Sequence, residues 1–202
     1  LTTKTGFIGE AINRAGITVS KRDAILRDVA GEIEWSKVIG IAPDEYVRSA
    51  EDYARTIRTS NAKVESRDIA RIYEAYESLK RQERAIDFED VLLLTVGMLE
   101  EERDIRDRVR DQYRYFTVDE YQDVSPLQQR LLDLWLGKRD DICVVGDPAQ
   151  TIYSFAGATP AFLLNFTNRY PNAEVIRLST AYRSTPEIVN MANAILRKSD
   201  LG

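Results

Sequence analysis

The sequence predicts an α/β fold in which a parallel sheet is preceded by an all-helical region. Apolar residues recur at helical spacing through residues 5–85. From residue 86 onward, three short apolar runs each lead into a polar loop and then a helical pattern. We therefore expect an all-helical subdomain at residues 1–85 and a sheet-containing domain at residues 86–202.

The helical region shows one capping signal and three apolar stripes. Ser20 with Asp23 predicts a helix start, and Pro43 predicts a second start at the first helical position. The stripes are Leu26, Val29, Ala30 and Ile33; then Tyr46, Val47, Ala50, Tyr53, Ala54 and Ile57; then Ile69, Ile72, Tyr73, Tyr76 and Leu79. We expect these tyrosines to pack in the core rather than to stack on nucleic acid.

Capping signals also mark the helices after residue 85. Asp87 predicts a helix that runs through Leu99, and the charged residues 100–104 predict a solvated helix face. Residues 125–128 form a capping box with proline in the first turn, and residues 185–187 repeat that opening. The buried stripe expected for the last helix is Ile188, Met191, Ala192 and Ile195.

Three strands are expected at residues 113–117, 142–145 and 175–178, of which the first should be buried. The carboxyl ends of parallel strands meet at one edge of a sheet, and ligands bind there in open α/β folds. The polar loops that follow the strands should therefore share one site.

The loop after the first strand begins with two adjacent carboxylates, Asp119 and Glu120. At the end of a parallel strand, the first carboxylate can reach a magnesium ion held by nucleotide phosphates. The second can orient the attacking water. An isolated pair of this kind is usually only solvated charge, so the prediction of nucleotide hydrolysis depends on the two loops that accompany it.

The three loops resemble signature motifs of the superfamily-one DNA helicases of the UvrD, Rep and PcrA type. The matching segments are VDEYQD at residues 118–123, VGDPAQTIYSFAGA at 145–158 and LSTAYRST at 178–185, with a similar upstream segment at 86–93. The resemblance implies a partial RecA-like P-loop NTPase core with an all-helical insertion. It also implies ATP and Mg²⁺ as cofactors, single-stranded DNA and duplex junctions as partners, and movement from 3′ to 5′ in DNA repair or replication.

The same resemblance implies roles for individual residues at the nucleotide. Asp119 would hold Mg²⁺, and Glu120 would be the base that positions the hydrolytic water. Gln150 would sense the γ-phosphate, Arg183 would contact it, and Tyr182 would stack on adenine. A surface ion pair for Arg183 and packing against the last helix for Tyr182 remain as alternatives.

A DNA-binding role is implied for Tyr153 and Phe155, which alternate just after Gln150. Their competing interpretation is packing of the loop against the core. Ala156 stands where the family often has arginine, so the loop itself offers no cation. Gln122 and Asp123 are expected to couple the loops.

Composition excludes several classes of protein. The net charge of −5 gives no global basic field, so any contact with nucleic acid must be local. The chain has one cysteine and no histidine, which excludes an internal disulfide, histidine-based acid–base chemistry and most zinc enzymes. No apolar run reaches the length of a membrane span, and we expect a cytoplasmic location without membrane contact.

The 202 residues contain no GxxxxGK[ST] segment. The family's phosphate-binding loop is therefore expected before Leu1 and its second motor domain after Gly202, and residues 1–202 alone are expected to be inactive. Two alternatives stay open: the motor part of a helicase–nuclease of the RecB or AddA type, and a piece that acts only as an interaction module. Adjoining sequence would decide between them.

Overall fold

The computed structural model describes residues 4–18, 22–55 and 64–198. Within those residues it contains ten α-helices, two β-strands and three 3₁₀ turns. The helices are α1 (Lys4–Arg14), α2 (Arg22–Ile39), α3 (Tyr46–Asp52), α4 (Ser66–Glu83), α5 (Phe88–Glu101), α6 (Arg103–Gln112), α7 (Pro126–Leu136), α8 (Ala161–Leu164), α9 (Phe166–Arg169) and α10 (Pro186–Leu196). The strands are β1 (Phe116–Val118) and β2 (Ile142–Val144), and the 3₁₀ turns are Tyr121–Asp123, Pro148–Gln150 and Ser154–Ala156.

Helices α1 to α4 enclose one hydrophobic core, in which α1 packs against α2 and α4. Tyr46, Tyr73 and Tyr76 are buried in it, which confirms the prediction that these rings are core residues. Tyr53 differs, because its side chain is 63% exposed and its ring meets the Trp35 ring edge-on at 5.4 Å.

The start of α3 was predicted incorrectly. Pro43 does not occupy the first helical position; it lies in a turn closed by a bond from the Tyr46 amide to its carbonyl, and the helix begins at Tyr46. Ala54 lies beyond the helix in a left-handed conformation at φ 48°, so the predicted stripe stops before it. The expected contributions of Ser20 and Ile57 lie outside the described residues.

A buried ionic cluster joins the helical region to the start of α5. Asp87 caps α5 and accepts hydrogen bonds from Lys37 of α2 at 2.7 Å, Lys80 of α4 at 3.0 Å and the Tyr76 hydroxyl at 2.9 Å. Asp90 accepts from both lysines at 2.5 Å. The predicted cap at Asp87 is confirmed, and the same carboxylate also holds two other helices in place.

Helices α5, α6 and α7 form a second cluster. The capping box of α7 is present as predicted: the Ser125 side chain accepts from the Gln128 amide and the Gln128 side chain accepts from the Ser125 amide. The charged residues 100–104 are exposed, as expected. They do not form one helix face, because Glu102 is extended and separates α5 from α6.

The sheet consists of β1 and β2 paired in parallel, with Phe116 opposite Ile142 and Val118 opposite Val144. This confirms an α/β fold with a parallel sheet. The expected burial of the first strand was wrong, because only one face of the pair is covered: Phe116 stacks on Trp135 of α7, whereas Cys143 is exposed.

The expected third strand is not formed in the described part of the chain. Residues 175–178 make no backbone hydrogen bond there, and a strand needs a neighbour to satisfy its backbone groups. The predicted burial of the α10 stripe was also wrong. Its four residues, Ile188, Met191, Ala192 and Ile195, are exposed, because none of the hydrophobic clusters found among the described residues reaches them. Among the helices that the structure describes, none has the length and apolarity needed to cross a bilayer.

Candidate functional site

Asp119 and Glu120 directly follow β1. Backbone hydrogen bonding between the two neighbouring chain segments continues just past the ends of β1 and β2. The Val145 amide donates to the Val118 carbonyl at 2.8 Å, and the Tyr121 amide donates to the Val145 carbonyl at 2.9 Å. The two carboxylates therefore lie on a short loop that is fixed at both ends. Both side chains are exposed to solvent at this edge of the sheet.

Glu120 has a left-handed backbone, with φ 51° and ψ 40°. This conformation costs a residue other than glycine roughly 1–2 kcal/mol. Local bonds hold it: the Glu120 amide donates to Asp119 Oδ1 at 2.9 Å, and the Asp123 amide donates to the Glu120 carbonyl at 2.9 Å. Strained residues of this kind concentrate at functional sites, which fits the role predicted for Glu120.

Gln122 connects Glu120 to the loop after β2. Its side chain is 1% exposed; Nε2 donates to Glu120 Oε2 at 2.7 Å, and Oε1 accepts from the Asp147 amide at 3.0 Å. A Cβ atom at Gly146 would lie 2.5 Å from Gln122 Oε1, so a larger residue there would push the Gln122 side chain from its position. The predicted coupling between the two loops is therefore present as direct hydrogen bonds of Gln122, whereas the Asp123 side chain, among the described residues, accepts only from Gln122 Nε2, at 3.5 Å.

Asp147 extends this connection to Gln150. Its Oδ1 accepts from the Ala149 amide at 3.0 Å, and its Oδ2 accepts from Gln150 Nε2 at 2.9 Å. A continuous chain of polar contacts thus runs from Glu120 through Gln122 and Asp147 to Gln150. The sequence prediction did not include Gly146 and Asp147 as site residues, although a Gly-Asp-Pro segment directly after a strand was a signal for a tight polar turn.

Tyr121 anchors the loop that carries Asp119 and Glu120. Its hydroxyl donates to Gln129 Oε1 of α7 at 2.5 Å, and its ring meets Phe166 edge-on at 5.9 Å. Burial raises the pKa of Tyr121 to about 12, so the hydroxyl stays protonated and can donate. The loop is thereby fixed to α7 and α9.

The structure does not bring Tyr182 and Arg183 to the carboxylates. Both lie in the exposed segment before α10, where Tyr182 is 94% exposed and Arg183 makes no hydrogen bond or ion pair with any described residue. The alternative of Tyr182 packing against the last helix is therefore wrong, and so is a surface ion pair for Arg183 within the described part of the chain.

Residues 152–158, which we call the aromatic loop, follow Gln150. Tyr153 and Phe155 are 52% and 66% exposed, and their ring centroids lie 6.2 Å apart at a tilt of 50°. The rings therefore do not pack in the core, which was their competing interpretation. Gly157 and Ala158, on the other side of the loop, are buried.

Asp119 fits the needs of a magnesium ion that also binds nucleotide phosphates. Mg²⁺ in such sites takes one or two carboxylates and keeps several waters. Asp119 Oδ1 accepts from the Glu120 amide, whereas Oδ2 makes no hydrogen bond with any described residue. A second acidic group, Glu77 with Asp87 and Asp90, does not fit a metal ion, because the ammonium groups of Lys37 and Lys80 already bind its carboxylates.

Comparison with known proteins places residues 20–171 in the UvrD/REP helicase N-terminal domain. The chain is 45% identical over 199 residues to the ATP-dependent DNA helicase UvrD2 of Mycobacterium tuberculosis, covering 97% of this chain and 27% of that protein. It is 32% identical over 174 residues to the ATP-dependent DNA helicase PcrA of Leuconostoc citreum, covering 86% of this chain and 22% of that protein.

The chain thus spans about a quarter of the length of these relatives. The family match includes the loops that carry Asp119, Glu120 and Gln150, and the structure connects Glu120 to Gln150 through hydrogen bonds. Together with the relatives, which cover up to 97% of the chain, this match confirms the resemblance seen in the sequence motifs. The chain belongs to the UvrD/Rep helicase family, within its N-terminal domain.

Proposed function

We propose that the intact protein is an ATP-dependent DNA helicase or translocase that couples ATP hydrolysis to movement on single-stranded DNA. The direction would be 3′ to 5′, on duplex junctions, in DNA repair or replication in the cytoplasm. The observation that carries the proposal is the chain of contacts from Glu120 to Gln150. It links the residue suited to activate water with the residue suited to detect the γ-phosphate.

When bound, Mg-ATP would supply the phosphoanhydride bond and the cation that balances phosphate charge. Asp119 would offer Oδ2 to the cation, as its Oδ1 is occupied by the Glu120 amide. Glu120 would orient the attacking water and accept its proton. Gln122 would hold the Glu120 carboxylate in the required direction, since it is buried and bonded on both sides.

Tyr182 and Arg183 would act from their exposed segment once it lies against the nucleotide. The arginine would neutralise charge on the transferring phosphate, and the tyrosine would stack on the base. Their full exposure is compatible with this, because neither side chain is committed to a partner among the described residues. Pairing of residues 175–178 with further strands of a RecA-like sheet would fix the segment.

Two structural units would divide this work. One hydrophobic cluster is confined to residues 7–79, and the other two lie within residues 92–166. This supports a helical subdomain at residues 1–85 and a motor domain from residue 86. The aromatic loop begins two residues after Gln150, so a change at the γ-phosphate would reach a DNA contact through a very short stretch of backbone.

The test is ATP hydrolysis by the intact protein with and without single-stranded DNA. We expect stimulation by single strands, and displacement of a duplex strand next to a 3′ tail but not a 5′ tail. Absence of DNA-stimulated hydrolysis would refute the function, whereas displacement from a 5′ tail would refute only the direction. Residues 1–202 alone, which contain no phosphate-binding loop of the GxxxxGK[ST] type, should not hydrolyse ATP.

A further inference from the structure

The aromatic loop has two different sides. Tyr153 and Phe155 face solvent, whereas Gly157 packs directly against α2 of the helical region. A Cβ atom at Gly157 would lie 2.6 Å from Val38 Cγ2 and 3.3 Å from Ile39 Cγ2, and the residue has φ 93°. The backbone of the loop thus lies closer to α2 than any side chain would permit.

Arg55, which follows α3, holds the same loop from the helical region. Its Nη1 donates to the Phe155 carbonyl at 3.3 Å, and its guanidinium lies 4.4 Å above the Trp35 ring. Its other two nitrogens, Nε and Nη2, donate to Glu32 at 3.3 Å and 2.7 Å. All three nitrogens of the guanidinium therefore have an acceptor.

The position of Arg55 is set by the core of the helical region. Glu32 is buried and also accepts from the Tyr46 hydroxyl at 2.8 Å, and Tyr46 is fully buried. Residues 152–158 carry no charged side chain, so Arg55 brings a cation to a loop that has none of its own. The contact spans 100 residues of sequence.

We propose that Arg55 is a positioning residue for strand binding: it fixes the aromatic loop on α2 so that Tyr153 and Phe155 are presented in a binding-ready arrangement. The inference builds on the proposed function, because it assigns the helical region a part in DNA affinity. A loop that is ordered beforehand loses less conformational freedom when the strand binds. Removal of Arg55 therefore weakens binding without removing any group that touches DNA.

A direct phosphate contact by Arg55 predicts a different behaviour. Neutralising one phosphate contributes about −0.7 to the slope of log affinity against log salt concentration for single strands. The Arg55 side chain is only 20% exposed and is paired with Glu32, so it has no free face for a phosphate. The positioning role predicts an unchanged salt slope.

The experiment measures the affinity of the intact protein for a fluorescently labelled oligo-dT strand across a salt series. Arg55→Gln alone would leave the buried Glu32 carboxylate short of partners and destabilise the fold. The informative comparison is therefore the double variant Glu32→Gln/Arg55→Gln against Glu32→Gln, with melting temperatures measured on both. Arg48→Gln is the matched control, because Arg48 lies on neighbouring α3 with its side chain 91% exposed.

We expect strand affinity to fall roughly three- to tenfold in the double variant, the range of one lost hydrogen bond, with the salt slope unchanged. Arg55→Lys should lower strand affinity less, since lysine keeps the charge but lacks the planar guanidinium that reaches Glu32 and Phe155 together. Gly157→Ala should weaken binding in the same direction, because it displaces the loop from the other side.

Affinity within twofold of the Glu32→Gln reference would overturn the inference, and so would a loss accompanied by a slope change of about 0.7, which would indicate phosphate contact. A matching loss in Arg48→Gln would also overturn it, since it would reflect general surface charge. If the wild-type protein itself did not bind single strands, the proposed function would fall; normal binding by wild type and by the double variant refutes the Arg55 role alone.

Discussion

The side-chain nitrogen of Gln122 lies 2.7 Å from Glu120 Oε2, and Glu120 itself has a left-handed backbone directly before the 3₁₀ turn that contains Gln122. Glu120 is exposed and Gln122 is buried. An exposed carboxylate is thus held by a group that solvent cannot reach, which gives it a fixed direction at the edge of the sheet.

Gln122→Met should separate positioning from binding. Methionine fills a similar volume but cannot donate to Glu120 or accept from the Asp147 amide. We expect kcat for ATP hydrolysis to fall about tenfold, equivalent to roughly 1.4 kcal/mol, with little change in KM. Steady-state kinetics on the intact protein checks this, and an unchanged kcat with a lower melting temperature would show that Gln122 is only structural.

Glu120→Gln should remove the base while preserving size. An amide cannot accept the proton from water, so hydrolysis should fall by at least the roughly 10²–10⁴-fold typical of acid–base groups. ATP affinity, measured by equilibrium binding, should change little. Near-normal turnover in this variant would show that Glu120 is not catalytic.

Gly146→Ala should disrupt the connection between the two loops. The added methyl group would lie 2.5 Å from Gln122 Oε1 and 3.2 Å from the Gln122 backbone nitrogen, so the Gln122 side chain must move. We expect both stability and turnover to fall. Gly31→Ala is the control, because its methyl group meets no atom within 4 Å in the interior of α2 and should stabilise by about 0.5–1 kcal/mol.

The ionic cluster at Asp87 should make stability sensitive to acid. Burial alone would raise the pKa of Asp87, but bonds from Lys37, the Asp90 amide and Lys80 outweigh it and hold the pKa well below its usual range. The pKa of Asp90 is lowered by the same two lysines, again against burial. A lowered pKa in the folded state stabilises above the unfolded value near 3.9, and this stabilisation is lost as pH falls from about 5 through the folded values.

Asp87→Asn tests this directly, since asparagine can still cap α5 through its one oxygen but loses the charge and the second acceptor for Lys80 and Tyr76. We expect the free energy of unfolding at neutral pH to fall by about 3–5 kcal/mol, the range for breaking a buried ion pair, and its acid dependence to flatten. Denaturant titrations between pH 3 and 7 measure both. Asp107→Asn is the control: Asp107 forms an exposed pair with Arg103 at 3.7 Å, and its loss should change stability by less than about 0.5 kcal/mol.

Tyr153→Ala should weaken binding of single-stranded DNA roughly five- to a hundredfold, because a base stacked on an aromatic ring contributes about 1–3 kcal/mol. Phe155→Ala should act in the same direction but less strongly. Both rings are exposed, so the melting temperature should fall little. A large fall in melting temperature with unchanged DNA affinity would contradict the stacking role.

Local signals in the sequence were sufficient for some elements and insufficient for others. The caps at Asp87 and Ser125 were predictable because each is specified within four residues. Residues 175–178 and the α10 stripe were not, since burial depends on a partner that a local pattern cannot supply.

The candidate site shows the same division. Asp119, Glu120 and Gln150 could be selected from their motifs, whereas the connection of Glu120 to Gln150 through Asp147 depends on two strands coming together. The contacts of Lys37 with Asp87 and of Arg55 with Phe155 join residues that are 50 and 100 positions apart in the sequence. No local sequence pattern predicts contacts over such separations.

The hydrogen bond between Gln150 and Asp147 fixes the orientation of the Gln150 side-chain amide. A carboxylate can only accept, so Asp147 Oδ2 must face the NH₂ group of Gln150 and cannot face its carbonyl. Gln150 is then left with one N–H and both lone pairs of its carbonyl oxygen. A phosphate oxygen needs a donor and a water molecule needs an acceptor for its proton. Asp147 thus fixes the orientation of the Gln150 amide. In that one orientation the free N–H can donate to a phosphate oxygen while Oε1 accepts from the attacking water.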